Sequence, residues 1–221
     1  MNSGELNRTT QTTRRARRRP DPTGDQFAAY GQAFDYFNRA LFDGGLSRCL
    51  LNFSRHARSR GFFSAGRWRR GADHTHEISL NPDVLDRPLL DSMGTLVHEM
   101  VHLWQQEHGV PGRGRYHNKQ WAAKMESVGL VPSHTGLPGG KRTGQGMTHY
   151  VLEGGRFDAA FRAMPPEYQL PWTSGRPADT AGPGPRDKVK YTCPTCGLNA
   201  WGKPGLPLGC MACDEALRSA E

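Results

Sequence analysis

The chain has 221 residues and a formal net charge of +8, which allows one sizeable core plus a small accessory module. The positive balance favours an anionic partner. No apolar run approaches the ~20 residues that cross a bilayer and no signal-peptide core follows the start, so no membrane role is expected. Of the five cysteines, Cys193, Cys196, Cys210 and Cys213 crowd the C-terminal end and only Cys49 stands apart. An odd total distributed in this way does not read as a secreted disulfide framework, and a reducing, cytoplasmic location is expected, on the nucleoid in a bacterial cell.

Residues 1–24 are rich in Thr and Arg, peaking in Arg14-Arg15-Ala16-Arg17-Arg18-Arg19. They cannot bury enough apolar surface to fold alone and are expected to be a disordered basic tail, either an arm that touches phosphates or a solvated extension. A first helix is predicted over Asp25–Phe42, where Phe27, Tyr30, Phe34, Phe37 and Leu41 form an apolar stripe that Gly44-Gly45 ends. Strands are predicted around Leu50–Arg55, Gly61–Trp68 and Glu77–Leu80, from alternation and flanking turn residues. A second helix follows over Leu89–Trp104, and a third over His117–Val128, stopped by Gly129. A glycine-rich stretch then leads into a predicted strand over Met147–Leu152. The main domain is thus expected to span 25–160, with a Pro/Gly-rich linker over 161–187, a cysteine module over 188–215 and a tail over 216–221.

The second helix carries His98-Glu99-Met100-Val101-His102. Two histidines four apart on a helix share one face, so both imidazoles can reach a single metal. A Glu directly after the first His projects beside that metal and can take a proton from its bound water. Leu89, Met93, Leu96, Val97, Met100 and Trp104 recur at three- and four-residue steps, which supplies the helix the motif needs.

A hydrolytic zinc takes three protein ligands and keeps one position open, so a third must come from elsewhere. His108 has the spacing of the metzincin pattern, but Gln105 replaces the glycine that turns the chain there, and on a continuing helix His108 would face about 240° away from His102. Glu126 stands at a distance that suits zincins with a glutamate ligand. His117 opens the third helix, and its four-residue spacing from Trp121 and Met125 favours an inward-facing position.

The stretch from Ala33 to Tyr150 resembles the SprT-like metalloprotease family, the group that includes Spartan. The resemblance is carried by Phe34-Asp35-Tyr36-Phe37-Asn38, by Thr75-His76-Glu77-Ile78-Ser79-Leu80-Asn81-Pro82, by Thr95 to Trp104, and by Tyr116-His117-Asn118-Lys119-Gln120-Trp121 with Met125. It implies His98, His102 and His117 as zinc ligands with Glu99 as general base, and a DNA-linked role on DNA-bound or DNA-crosslinked proteins. The expected fold is α+β: a zincin-like domain of helices packed on a small antiparallel sheet, plus a small zinc ribbon. The substrate strand is expected to pair with an exposed sheet edge, for which Ile78–Leu80 is the first choice. Tyr116, His134, His149 and Tyr150 are candidate oxyanion stabilisers, none of them assigned.

Cys193-Pro194-Thr195-Cys196 and Cys210-Met211-Ala212-Cys213 are two C-x-x-C knuckles thirteen residues apart, the spacing of a structural zinc ribbon. Two zinc ions are therefore expected, one catalytic and one structural. From Gly44 to Ala72 there is no acidic residue, while Arg55, Arg58, Arg60, Arg67, Arg69 and Arg70 gather around Trp68 and two phenylalanines. Arginines neutralise phosphates and aromatic faces stack on unpaired bases, so single-stranded or distorted DNA is the expected partner. Two rivals stand beside this: a non-catalytic, DNA- or transcription-associated zinc-binding factor, and a protease with no DNA dependence. The sequence leaves the oligomeric state open.

Overall fold

The computed structural model describes residues 19–56, 59–114, 116–174 and 188–219; most of the Arg-rich run therefore lies outside the described residues. The chain divides into two compact units, residues 1–175 and 176–221. Helix α1 spans Pro22–Phe42 and begins three residues before the expected start, because the Asp21 side chain caps Gly24 N–H (3.0 Å) and Pro22 occupies the first turn. Of its predicted stripe, Tyr30, Phe34, Phe37 and Leu41 are buried, whereas Phe27 stays exposed with its ring edge against Phe53.

Strands β1 (Leu50–Phe53), β2 (Gly61–Arg70) and β3 (Asp73–Leu80) form one sheet in the order β1-β3-β2. Two expectations change here. The sheet is mixed rather than antiparallel: β3 pairs with β2 antiparallel and with β1 parallel, since the chain passes from β1 to the far edge before returning through the middle. The strand that contains Ile78–Leu80 is thereby central and both its edges are taken, so the edge that can accept another strand on this side belongs to β2.

Helix α2 (Leu89–His108) carries the histidine pair and runs one turn beyond the predicted end, to an extended Gly109. Asp91 in its first turn complements the helix dipole. Helix α3 is shorter than expected, Lys119–Ser127, because Asn118 caps it by accepting from Trp121 N–H (3.0 Å). An antiparallel pair, β4 (Leu130–Ser133) and β5 (Thr148–Val151), then precedes helix α4 (Arg156–Arg162). The buried faces of α1, α2, α3, β3 and α4 form a single apolar core.

The first part of the expected linker over 161–187 packs on the first unit: Met164 and Leu170 are buried in that core, and the Gln26 amide accepts from Trp172 N–H (2.9 Å) and donates to its carbonyl (3.0 Å). Residues 175–187 lie outside the described residues. In the second unit, β6 (Val189–Thr192) pairs with β7 (Asn199–Gly202) and with β10 (Arg218–Ser219), and the short β8 (Gly209–Cys210) pairs with β9 (Glu215–Ala216). The expected tail over 216–221 is thus part of the module up to Ser219. Among the described residues no helix is long and apolar enough to cross a membrane.

Candidate metal centres and the cleft

Helical spacing places His98 and His102 one turn apart on α2, and both face α3 and the loop before it. Ligand atoms of His98, His102 and His117 all lie within 4.8 Å of one another. His117 reaches this position differently from the expected way: it precedes the cap of α3 and is held by a two-way backbone bridge to Gly144 (2.7 and 3.1 Å). The turn before it is stapled by side-chain amides, with Gln105 donating to Asn118 (2.8 Å) and Asn118 donating to the Val110 carbonyl (3.0 Å). Gln105, the residue that breaks the metzincin pattern, therefore anchors the loop that delivers the third histidine.

The other two candidates are engaged elsewhere. His108 contacts the Gly45 carbonyl (2.9 Å) and Glu126 pairs with Arg142.

The donor chemistry fits a cation. His117 donates its Nδ1 proton to the Gly144 carbonyl (3.0 Å), which makes Nε2 the acceptor nitrogen of the ring, 3.1 Å from His102 Nε2. Burial, reinforced by the neighbouring imidazoles, holds His98 well below the ordinary histidine range and draws His102 down to about 3. Neutral, converging imidazoles are what zinc binds. Trp121 underlies all three rings, at centroid distances of 4.3, 4.9 and 5.4 Å from His117, His98 and His102. Sequence periodicity marked this residue only as buried.

Glu99 is buried beside the cluster, and burial pushes its carboxyl up to about 8 against an opposing hydrogen bond from the Phe63 backbone. Gly61 lets β2 lie close to β3 and α2 here: a Cβ there would lie 2.9 Å from the Ser79 carbonyl and 3.0 Å from Thr95 Cγ2. Glu99 and the three histidines open into a cleft of about 1000 Å³, walled on one side by Phe62 and Phe63 of β2 and on the other by Tyr116, His134 and His149.

The basic candidates separate into three places. Arg60 lines the cleft, and Arg55 is paired with Asp83 (3.0 Å). Arg58 lies outside the described residues. Arg67, Trp68, Arg69 and Arg70 are exposed on the outer half of the β2–β3 hairpin, beyond an irregularity in pairing between Ser64 and Trp68. Trp68 is 42% exposed, yet its indole N–H is fixed to the Glu77 carboxylate (2.8 Å), which makes the ring a held platform.

In the second unit the ligand atoms of Cys193, Cys196, Cys210 and Cys213 also fall within 4.8 Å of one another. Backbone N–H groups of Cys196 and Thr195 draw Cys193 down to about 7, while hydrogen bonding with the neighbouring thiols, led by Cys196, pushes Cys213 up to about 12. Four thiolates can coexist only around a cation, so this group too fits zinc. Among its described residues the fully buried apolar set is small, Tyr191, Cys193, Cys210 and Leu217. Chelation under reducing conditions is accordingly expected to unfold residues 188–219 while the core of the first unit stays folded. Residue-resolved NMR checks this, and dispersed signals from the module after metal removal would contradict it.

The model of one protein family, described as the SprT-like family, matches residues 31–141, about half the chain. No curated protein matches it.

Proposed function

Because this chain belongs to the SprT-like family, we propose that it is a zinc-dependent endopeptidase in which His98, His102 and His117 hold the metal and Glu99 moves the proton. The observation that carries this reading is the convergence of three imidazoles and one buried carboxyl in the wall of a single cleft. When bound, zinc polarises the scissile carbonyl and lowers the pKa of a coordinated water toward ~7.

The chain's own residues supply the rest. The free edge of β2 begins in the cleft wall at Gly61–Ala65 and can take an extended peptide as an added strand. Glu99 accepts the proton of the attacking water at its carboxylate and returns it to the leaving amine. Burial raises the proton affinity of that carboxyl. The four cysteines take a second, structural zinc that stabilises the small module.

The proposed partner is single-stranded or distorted DNA, gripped by the hairpin arm of Arg67, Trp68, Arg69 and Arg70, and the proposed substrate is a protein bound or crosslinked to that DNA. What supports this is an acid-free stretch in which Arg67, Arg69 and Arg70 are exposed on either side of a fixed indole. Each neutralised phosphate releases a counterion, so three arginines give single-strand affinity a log–log salt slope of about −2.

The test is cleavage of a DNA-binding protein by the zinc-loaded chain with and without single-stranded DNA, beside a variant carrying Arg67→Glu, Arg69→Glu and Arg70→Glu. We expect the variant to lose DNA stimulation while keeping both zinc ions. Equal stimulation of both proteins would remove the arm from the account. Cleavage indifferent to DNA would leave a protease without DNA dependence, and tight DNA binding with no cleavage would favour a non-catalytic factor.

A further inference from the structure

His149 is not among the three clustered ligands, yet its Nδ1 lies 3.2 Å from His98 Nδ1. A zinc-bound imidazole uses one ring nitrogen for the metal and donates the proton of the other to an acceptor that fixes its orientation and tautomer. For His117 that acceptor is the Gly144 carbonyl. We propose that His149 plays the same part for His98: its Nδ1 accepts the His98 Nδ1 proton and turns Nε2 toward His102 and His117.

Two features show a built contact. His149 stands on β5, paired across from Pro132 of β4, so its backbone is fixed independently of α2. On the other side, α2 carries a glycine where the imidazole meets it: a Cβ on Gly94 would lie 2.8 Å from His149 Nε2. A glycine inside a helix is unfavourable by propensity, and here its missing side chain is the space the ring occupies. Gly94, one turn before His98, is thus the seat of a positioning residue for the metal.

The inference rests on the proposed metal site, and its test reads metal binding directly. The full chain is titrated with cobalt(II), whose visible bands at a nitrogen–oxygen site differ from the thiolate charge-transfer bands of the cysteine site, so the second site serves as internal control. His149→Leu is expected to weaken cobalt at the histidine site by about 10- to 100-fold, the usual effect of removing such a partner. His149→Asn keeps an acceptor at the Nδ1 position and is expected to retain most of the affinity.

Gly94→Ala provides the decisive arm. It should favour the helix, yet its methyl must push the His149 ring away and so weaken cobalt. Combining Gly94→Ala with His149→Asn, whose shorter side chain lacks the clashing nitrogen, should restore binding. That rescue has no explanation in general stability, which thermal melts monitor in parallel. Unchanged affinity in His149→Leu, or failure of the double variant to recover, would overturn the inference alone. A wild-type chain that takes cobalt only at its thiolates would overturn the proposed metal site along with it.

Discussion

Glu99→Gln is expected to leave a folded, metal-binding chain that cleaves its substrate about 10²–10⁴-fold more slowly, the usual contribution of a positioned general base. The amide fills the same buried volume between Gly61 and α2, so neither the packing nor the three imidazoles are disturbed. What it loses is the capacity to accept a proton. Burial disfavours the charged form of the group it replaces, and a neutral amide of the same shape does not weaken the fold. Melting temperature and zinc content should therefore match the wild type while turnover collapses. A Glu99→Gln protein with near-normal turnover would show that another group moves the proton and would end the assignment of Glu99.

Trp121→Ala carries the second large effect. The side chain is fully buried and its ring backs all three histidines. Truncation of a buried Trp costs about 3–5 kcal/mol, which for a unit of this size lowers the melting temperature by roughly 6–20 °C. Metal affinity should fall with it, since the imidazoles lose the surface that limits their rotation. Trp121→Phe keeps an aromatic floor: the indole nitrogen has no hydrogen-bond partner among the described residues, so its removal leaves nothing unpaired, and the cost should be smaller than that of Trp121→Ala because less volume is lost. A Trp121→Ala chain that melts with the wild type and binds zinc equally would show that the rings are held without this floor.

Helical periodicity set the apolar face of α2, and the same period placed His98 and His102 on one side with Glu99 adjacent. The two cysteine knuckles were equally legible, because their ligands lie close in sequence. Helix α1 starts three residues ahead of its apolar stripe's predicted start, because Asp21 caps it and Pro22 opens its first turn. Cys49, which stands apart from the other four cysteines, is half-buried, and that burial pushes its thiol up to about 12.

The third histidine shows where local patterns stop. Spacing with Trp121 and Met125 suggested a helical His117, but it stands ahead of the Asn118 cap and is placed by Gln105 and by the carbonyl of Gly144, contacts that bridge chain segments without periodicity. The position of β3 was undetermined for a related reason: a strand of four to eight residues has the same alternation in the middle of a sheet as at its edge, and only pairing on both sides made β3 central.

The sequence by itself thus determined the helix, the shared face of His98 and His102 with Glu99 beside it, and the cluster of four cysteines, because each depends on residues close to one another in the chain. Tertiary structure alone decided which edge faces the cleft, how His117 arrives, that residues up to Trp172 pack on α1, and that His149 meets His98 over Gly94. Those are contacts between elements, whose partners are chosen by packing and leave no repeat in the chain.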